Sequence, residues 1–167
     1  TMDLKGGGKV TTLSAGHVLG SAMYRFELDG KVITFTGDLG NAPAPLIGPP
    51  DEVGKTDYLV IESAYGDRKH QPSNMGPKLL AEVVKETIDR KGTLLIPSFA
   101  LERTQIMLFH LNNLVETGEI PMLPVYLDSP LAIKITEVYR KYSYYFKDDV
   151  QSQIFSGDKI FEFPMLR

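Results

Sequence analysis

Few side chains in this chain can carry chemistry. There are three histidines (His17, His70 and His110) and no cysteine, so disulfides and thiolate metal sites are excluded. His110 lies in an apolar helical run (Leu108, Phe109, Leu111, Leu114) and reads as a packed helix residue. His70 sits among Asp67, Arg68, Lys69 and Gln71, a solvated loop. His17 differs, because Gly16 and Gly20 flank it in Leu13-Ser14-Ala15-Gly16-His17-Val18-Leu19-Gly20-Ser21 and let the chain turn sharply. Asp38 is bracketed in the same way by Gly37 and Gly40. An imidazole and a carboxylate brought together on such loops suit zinc ligation or a His–Asp acid–base pair. Two polar residues that merely end strands would carry the same pattern.

The elements around them decide whether they meet. Met23–Leu28 and Lys31–Thr36 alternate about Asp29-Gly30, a dipeptide suited to a two-residue hairpin turn with positive φ. That turn sets the register, with Phe26 opposite Ile33 and Tyr24 opposite Phe35 on one face and Arg25, Glu27 and Thr34 on the other. His17 and Asp38 both fall beyond the hairpin's open end, and strands about 5 Å apart bring them to a shared point. The aromatic face is expected to pack in a sandwich. An isolated hairpin is marginal, so this one docks on the following lobe, pairs with a second copy as a homodimer, or frays.

Residues 41–56 are rich in proline and glycine and read as a connector. Strands and helices then alternate. Tyr58–Ile61 reads as a strand, and a helix opened by Pro77 runs through Ile88, with Gly92 past its end. A strand over Thr93–Ile96, a helix from Leu101 to Thr117 stopped by Gly118, and a strand over Val125–Leu127 follow. Ser129 caps a last helix with Pro130 at its first position, running to about Tyr142, and a short strand is expected at Ile160–Phe163. This order predicts an α/β fold: a partial lobe over 1–56, then an α/β lobe with a parallel sheet over 57–167. Glu62 ends the first strand of that lobe, where such sheets bind ligands, with Ser98 and Asp128-Ser129 at the same edge. Arg103, in the first turn of its helix, can reach an anion near that N-terminus or pair with a neighbouring acid. Gly54-Lys55-Thr56 is not a P-loop, because Gly48 is one residue too far upstream and the tripeptide precedes a strand.

Net charge is −3 and the pI about 5.6, which argues against a general electrostatic footprint for nucleic acid. Phosphate contacts would have to come from local cations such as Arg68, Lys69 and Arg103. No apolar stretch approaches the roughly 18–20 residues that cross a bilayer, and no signal-peptide pattern occurs, so a cytoplasmic location is the default.

Five segments, in order, resemble one family: Ala15–Ser21, Thr36–Gly40, Glu62–Arg68, Pro97–Ala100 with Arg103, and Asp128–Ala132. It is the metallo-β-lactamase/β-CASP family, which includes the pre-mRNA 3′-end-processing endonuclease and bacterial ribonuclease J. The resemblance covers nearly the whole chain. It implies the C-terminal hairpin portion of a metallo-β-lactamase αββα sandwich followed by a β-CASP lobe. It implies two zinc ions, with His17 a ligand to one, Asp38 bridging both, and a metal-activated water attacking a phosphodiester of single-stranded RNA. Glu62 would hold a histidine that protonates the leaving oxygen, and Ser98, Arg103 and Arg68 are candidate substrate contacts. The family's H-x-H-x-D-H ligands and two late histidines are not in the chain. The expectation is therefore an internal fragment of a zinc-dependent ribonuclease, inactive alone and holding zinc weakly. The alternatives are a zinc-free scaffold or RNA-binding homologue, and a hydrolase of the superfamily with another substrate.

Overall fold

Around the Asp29-Gly30 turn, a computed structural model shows the expected hairpin, with both turn residues at positive φ (+49° and +72°). The structure describes residues 1–68, 75–162 and 164–167. Its strands are β1 (Met2–Asp3), β2 (Lys9–Ser14), β3 (Ala22–Leu28), β4 (Lys31–Phe35) and β5 (Tyr58–Val60), hydrogen-bonded in sequential order. Neighbours from β1 to β4 are antiparallel and β5 is parallel to β4. The β3–β4 register pairs Phe26 with Ile33 and Tyr24 with Phe35, as the turn chemistry requires.

The faces of this sheet are occupied differently from expectation. The aromatic face is half open, with Tyr24 48% and Phe35 40% exposed, and it is buried most deeply at Val10, opposite Phe26. On the other face Met23, Thr34 and Thr36 are buried. Threonines tolerate that burial because their hydroxyls are satisfied locally: Thr34 Oγ1 donates to Thr56 Oγ1 (3.2 Å) and Thr36 Oγ1 to the Gly37 carbonyl (2.8 Å).

Strand β5, expected to open the second lobe, belongs to the first of two compact units, Thr1–His70 and Gln71–Arg167. The connector brings it back to β4, where Asp57 N donates to the Val32 carbonyl, the Asp57 carboxylate accepts from Val32 N, and Thr36 N donates to the Val60 carbonyl. All three of its residues are exposed.

The second unit is helical, with α1 (Met75–Asp89), α2 (Arg103–Glu116), α3 (Pro130–Lys141) and α4 (Asp148–Phe155), plus a 3-10 turn at Ser143–Tyr145. Leu108, Leu111, Leu114, Ile120, Tyr139, Phe146, Val150 and Phe161 are buried in it. Ser129 caps α3 as expected, its Oγ accepting from Ala132 N at 3.2 Å. The left-handed residue after α1 is Lys91 (φ +53°), one before the expected Gly92. α4 was not expected.

The parallel sheet predicted for this lobe does not form among the described residues. Thr93–Ile96 is unpaired and Leu95 is 86% exposed. Val125–Leu127 reduces to a single parallel bridge, Val125 with Leu166. Ile160 and Phe161 lie in a turn, and Phe163 falls outside the described residues. A run such as Thr-Leu-Leu-Ile favours extended backbone, but a strand exists only where a neighbour supplies complementary donors and acceptors. The chain is mixed α/β, with its sheet confined to the first unit.

Candidate functional site

At the end of β2 the chain enters a tight loop closed by Ser21, whose Oγ accepts from His17 N (3.2 Å) and Val18 N (3.1 Å). Ala15 N donates to the Ser21 carbonyl and Ser21 N to the Val18 carbonyl, so His17 sits on a hydrogen-bonded turn. Beyond β4, Gly37 (φ +57°) turns the chain through Asp38 and Leu39 to Gly40. Gly40 N then donates to the Ala15 carbonyl at 2.8 Å, tying the two loops together. A Cβ on Gly40 would run into the Gly16 carbonyl oxygen and lie 2.8 Å from His17 N, so this close approach requires glycine.

Two further residues brace the pair. Glu62, just past β5, donates its backbone N–H to Thr36 Oγ1 (3.2 Å), and its Oε1 accepts from Leu39 N, beside Asp38. Asp51, in the connector, accepts from Ser14 N through Oδ2 (2.6 Å) and returns its own N–H to the Ser14 carbonyl (2.9 Å). Next to it, a Cβ on Gly16 would come within 2.6 Å of Pro50 N, so the connector presses directly on the His17 loop. Sequence reading missed Asp51. Its partner lies 37 residues away, and the only local sign is the stiff Pro49-Pro50 that delivers it.

The structure thus brings the segments of His17, Asp38 and Glu62 into one hydrogen-bonded set within the first unit. His17 is half-buried and Asp38 exposed, and among the described residues neither side chain is committed to a hydrogen bond or ion pair. An imidazole nitrogen and a carboxylate oxygen are donors of the kind zinc takes. They fit zinc as two ligands, whereas a catalytic site normally offers three, and no group of three or more metal-ligating side chains occurs among the described residues. Glu62, expected to orient a histidine, here has its carboxylate on the backbone beside Asp38.

The remaining candidates share none of these hydrogen bonds among the described residues. Arg68 forks onto its neighbour Asp67 (Nε–Oδ1 2.9 Å, Nη2–Oδ2 3.1 Å) and lies over the Tyr65 ring at 5.5 Å. The pairing lowers the pKa of Asp67 and raises that of Arg68, both exposed. Lys69 and His70 fall outside the described residues. Ser98 and Arg103 belong to the second unit. Ser98 is exposed and Arg103 is the first residue of α2, also exposed and, among the described residues, without the acidic partner considered for it. The residue before it, Glu102, holds a left-handed φ of +63° and gives α2 no side-chain cap. His110 packs beside Phe109 at 5.9 Å, and desolvation lowers its pKa, in keeping with a packed helix residue.

Comparison with known proteins supplies the family. The Beta-Casp domain model matches residues 104–167. Ribonuclease TTHA0252 of Thermus thermophilus is 33% identical over 147 residues, covering 88% of this chain and 34% of that protein. Cleavage and polyadenylation specificity factor subunit 3 of Dictyostelium discoideum is 37% identical over 161 residues, covering 95% of this chain and 21% of its own length. The chain belongs to the metallo-β-lactamase/β-CASP family. Another member, the RNase J-like protein of Methanocaldococcus jannaschii, is 35% identical over 145 residues, 84% of this chain and 34% of that one. This β-CASP chain therefore spans about a third or less of the relatives it matches. Among its described residues no helix is long and apolar enough to cross a membrane.

Proposed function

We propose that the chain carries two of the zinc ligands of a ribonuclease, His17 and Asp38, and that it does not cleave RNA by itself. The observation that supports this reading is the Gly40 N–H to Ala15 carbonyl bond. It seats an imidazole and a carboxylate, both uncommitted among the described residues, on adjoining loops. Zinc bound there would supply water activation and charge neutralisation at a scissile phosphate. The chain's own share is positional. Ser21 fixes the backbone of His17, and Gly40 admits the close approach of the two loops. Glu62 holds Leu39 N and so sets the angle at which Asp38 leaves the sheet. With two donors the chain alone should bind zinc weakly and release it on dialysis. Stoichiometric, chelator-resistant zinc in this chain would overturn the ligand assignment.

The decisive comparison is made in the full-length protein, with zinc content and RNA cleavage both measured. Asp38→Ala should abolish cleavage and lower zinc content. Glu62→Gln keeps an oxygen for Leu39 N, so zinc should stay while the rate falls by about 10²–10⁴ if its charge serves proton transfer. Glu62→Ala removes the brace as well and should cost both. Equal zinc loss in Glu62→Gln and Asp38→Ala would make Glu62 a ligand. A full-length protein with neither zinc nor cleavage would support the scaffold alternative.

A further inference from the structure

The other chemically marked surface lies in the second unit, between α3 and α4, in Arg140-Lys141-Tyr142-Ser143-Tyr144-Tyr145-Phe146-Lys147. Tyr144 and Tyr145 are 58% and 65% exposed, yet their rings pair at 4.5 Å, and Tyr142 joins at 5.9 Å from Tyr144. Other aromatic rings of the chain are as exposed, such as Phe99 and Tyr126, but these three cluster, and the segment beneath them is held by backbone hydrogen bonds. Tyr142 N donates to the Val138 carbonyl, Tyr145 N to the Tyr142 carbonyl and Phe146 N to the Ser143 carbonyl. Phe146 is 3% exposed and wedged against Tyr139 (6.1 Å) and Phe161 (6.2 Å). The tyrosines are therefore presented by a pinned turn, with little ordering left to lose on binding. Lys141 lies 5.5 Å from the Tyr142 ring centroid and has no ion pair among the described residues. Arg140 and Lys147 are neutralised by Glu162 (3.0 Å) and Asp149 (3.3 Å).

We propose that Tyr144 and Tyr145 form a stacking platform for bases of single-stranded RNA, with Lys141 taking a backbone phosphate. Exposed aromatic rings beside a cation that has no ion pair among the described residues are the elements of sequence-tolerant single-strand binding, because every base offers a π-face. Stacking does not depend on the chain's net charge, so it can act in a chain of net charge −3. The proposal rests on reading the protein as one that acts on RNA.

The test is fluorescence anisotropy of a short labelled oligoadenylate added to this chain in EDTA. Under that condition the result is independent of zinc and of cleavage, so it stands apart from the ligand assignment of His17 and Asp38. Tyr144→Ala and Tyr145→Ala should each weaken binding about tenfold or more, while the phenylalanine variants stay within about twofold of the parent. An abasic strand of equal length should bind weakly and be indifferent to the ring variants. Lys141→Ala should make the slope of log affinity against log salt shallower by about 0.7, which the ring variants should leave unchanged. The proposal is overturned by absence of oligoadenylate binding, by equal affinity for the abasic strand, or by alanine variants that bind like the parent. The last result is also what a platform serving a protein partner would give.

Discussion

Thr1–His70 and Gln71–Arg167 hold their chemistry-bearing segments by different means. In the first unit the contacts join residues far apart in sequence: Ser14 with Asp51, Ala15 with Gly40, and Leu39 with Glu62. In the second, long-range bonds such as Gln105 Nε2 to Thr136 Oγ1 hold the helices together, but the bonds at the helix starts that carry Ser98, Arg103 and Ser129 are local. Thr104 Oγ1 and Gln105 Nε2 donate to the carbonyls of Phe99 and Ala100, and Ser129 caps Ala132. A site of the first kind inherits its geometry from the tertiary fold, whereas one of the second kind is specified by a few adjacent residues. Substitutions should accordingly spread their effects across the first unit, whereas loss of a helix cap in the second should stay confined to its helix.

Gly40→Ala should have the largest effect. Its methyl group has no room against Gly16 and His17, and a cost of about 3 kcal/mol should speed amide exchange at Gly16, His17 and Gly40 by about 100-fold. Unchanged exchange there would remove the close approach from the account. Asp51→Ala should cost about 1–2 kcal/mol through the lost Ser14 bond and loosen the His17 loop, although it is remote in sequence. Exchange that quickens only at Asp51 and its neighbours would make this unit as local as the other. Ser129→Ala should cost about 1 kcal/mol, with faster exchange in the first turn of α3 and none in the sheet. A sheet that responds would break the contrast from the other side.

The smallest expected effect is one of pH. Burial holds His110 below its ordinary pKa, so the unfolded chain binds more protons once pH falls through about 6.5. The stability in question is present above that pH and is lost on acidification. Denaturation midpoints of the second unit should drop between about pH 7.5 and 5.5, less so in His110→Gln. Parallel drops in both proteins would assign the slope to other groups.

What could be read from the sequence follows the same division. The β3–β4 register and the α3 cap were legible because Asp29-Gly30 and Ser129-Pro130 decide them within a few bonds. The juxtaposition of the His17 and Asp38 loops followed from that register together with the flanking glycines. The fate of Thr93–Ile96 was not legible, since pairing depends on a neighbour the segment does not encode. Nor was the buried face of the hairpin, where hydroxyl bonds made threonines acceptable and left Tyr24 and Phe35 half wet. α4 did leave a trace, with Asp148 and Asp149 in its first turn and Val150 and Ile154 one turn apart. Asp51 could be found only with coordinates in hand.

The parallel placement of β5 beside β4 also has a consequence in time. The hairpin closes through two residues and can form in microseconds, whereas β5 must wait for residues 36–57 to traverse the sheet. Asp51 and Glu62 arrive on that slower return. His17 and Asp38 are therefore delivered early by the turn and locked late by the crossover. Pulse-labelled exchange should find Arg25–Thr34 protected before Leu39 and Gly40. In that order of events the site is the last part of its unit to mature.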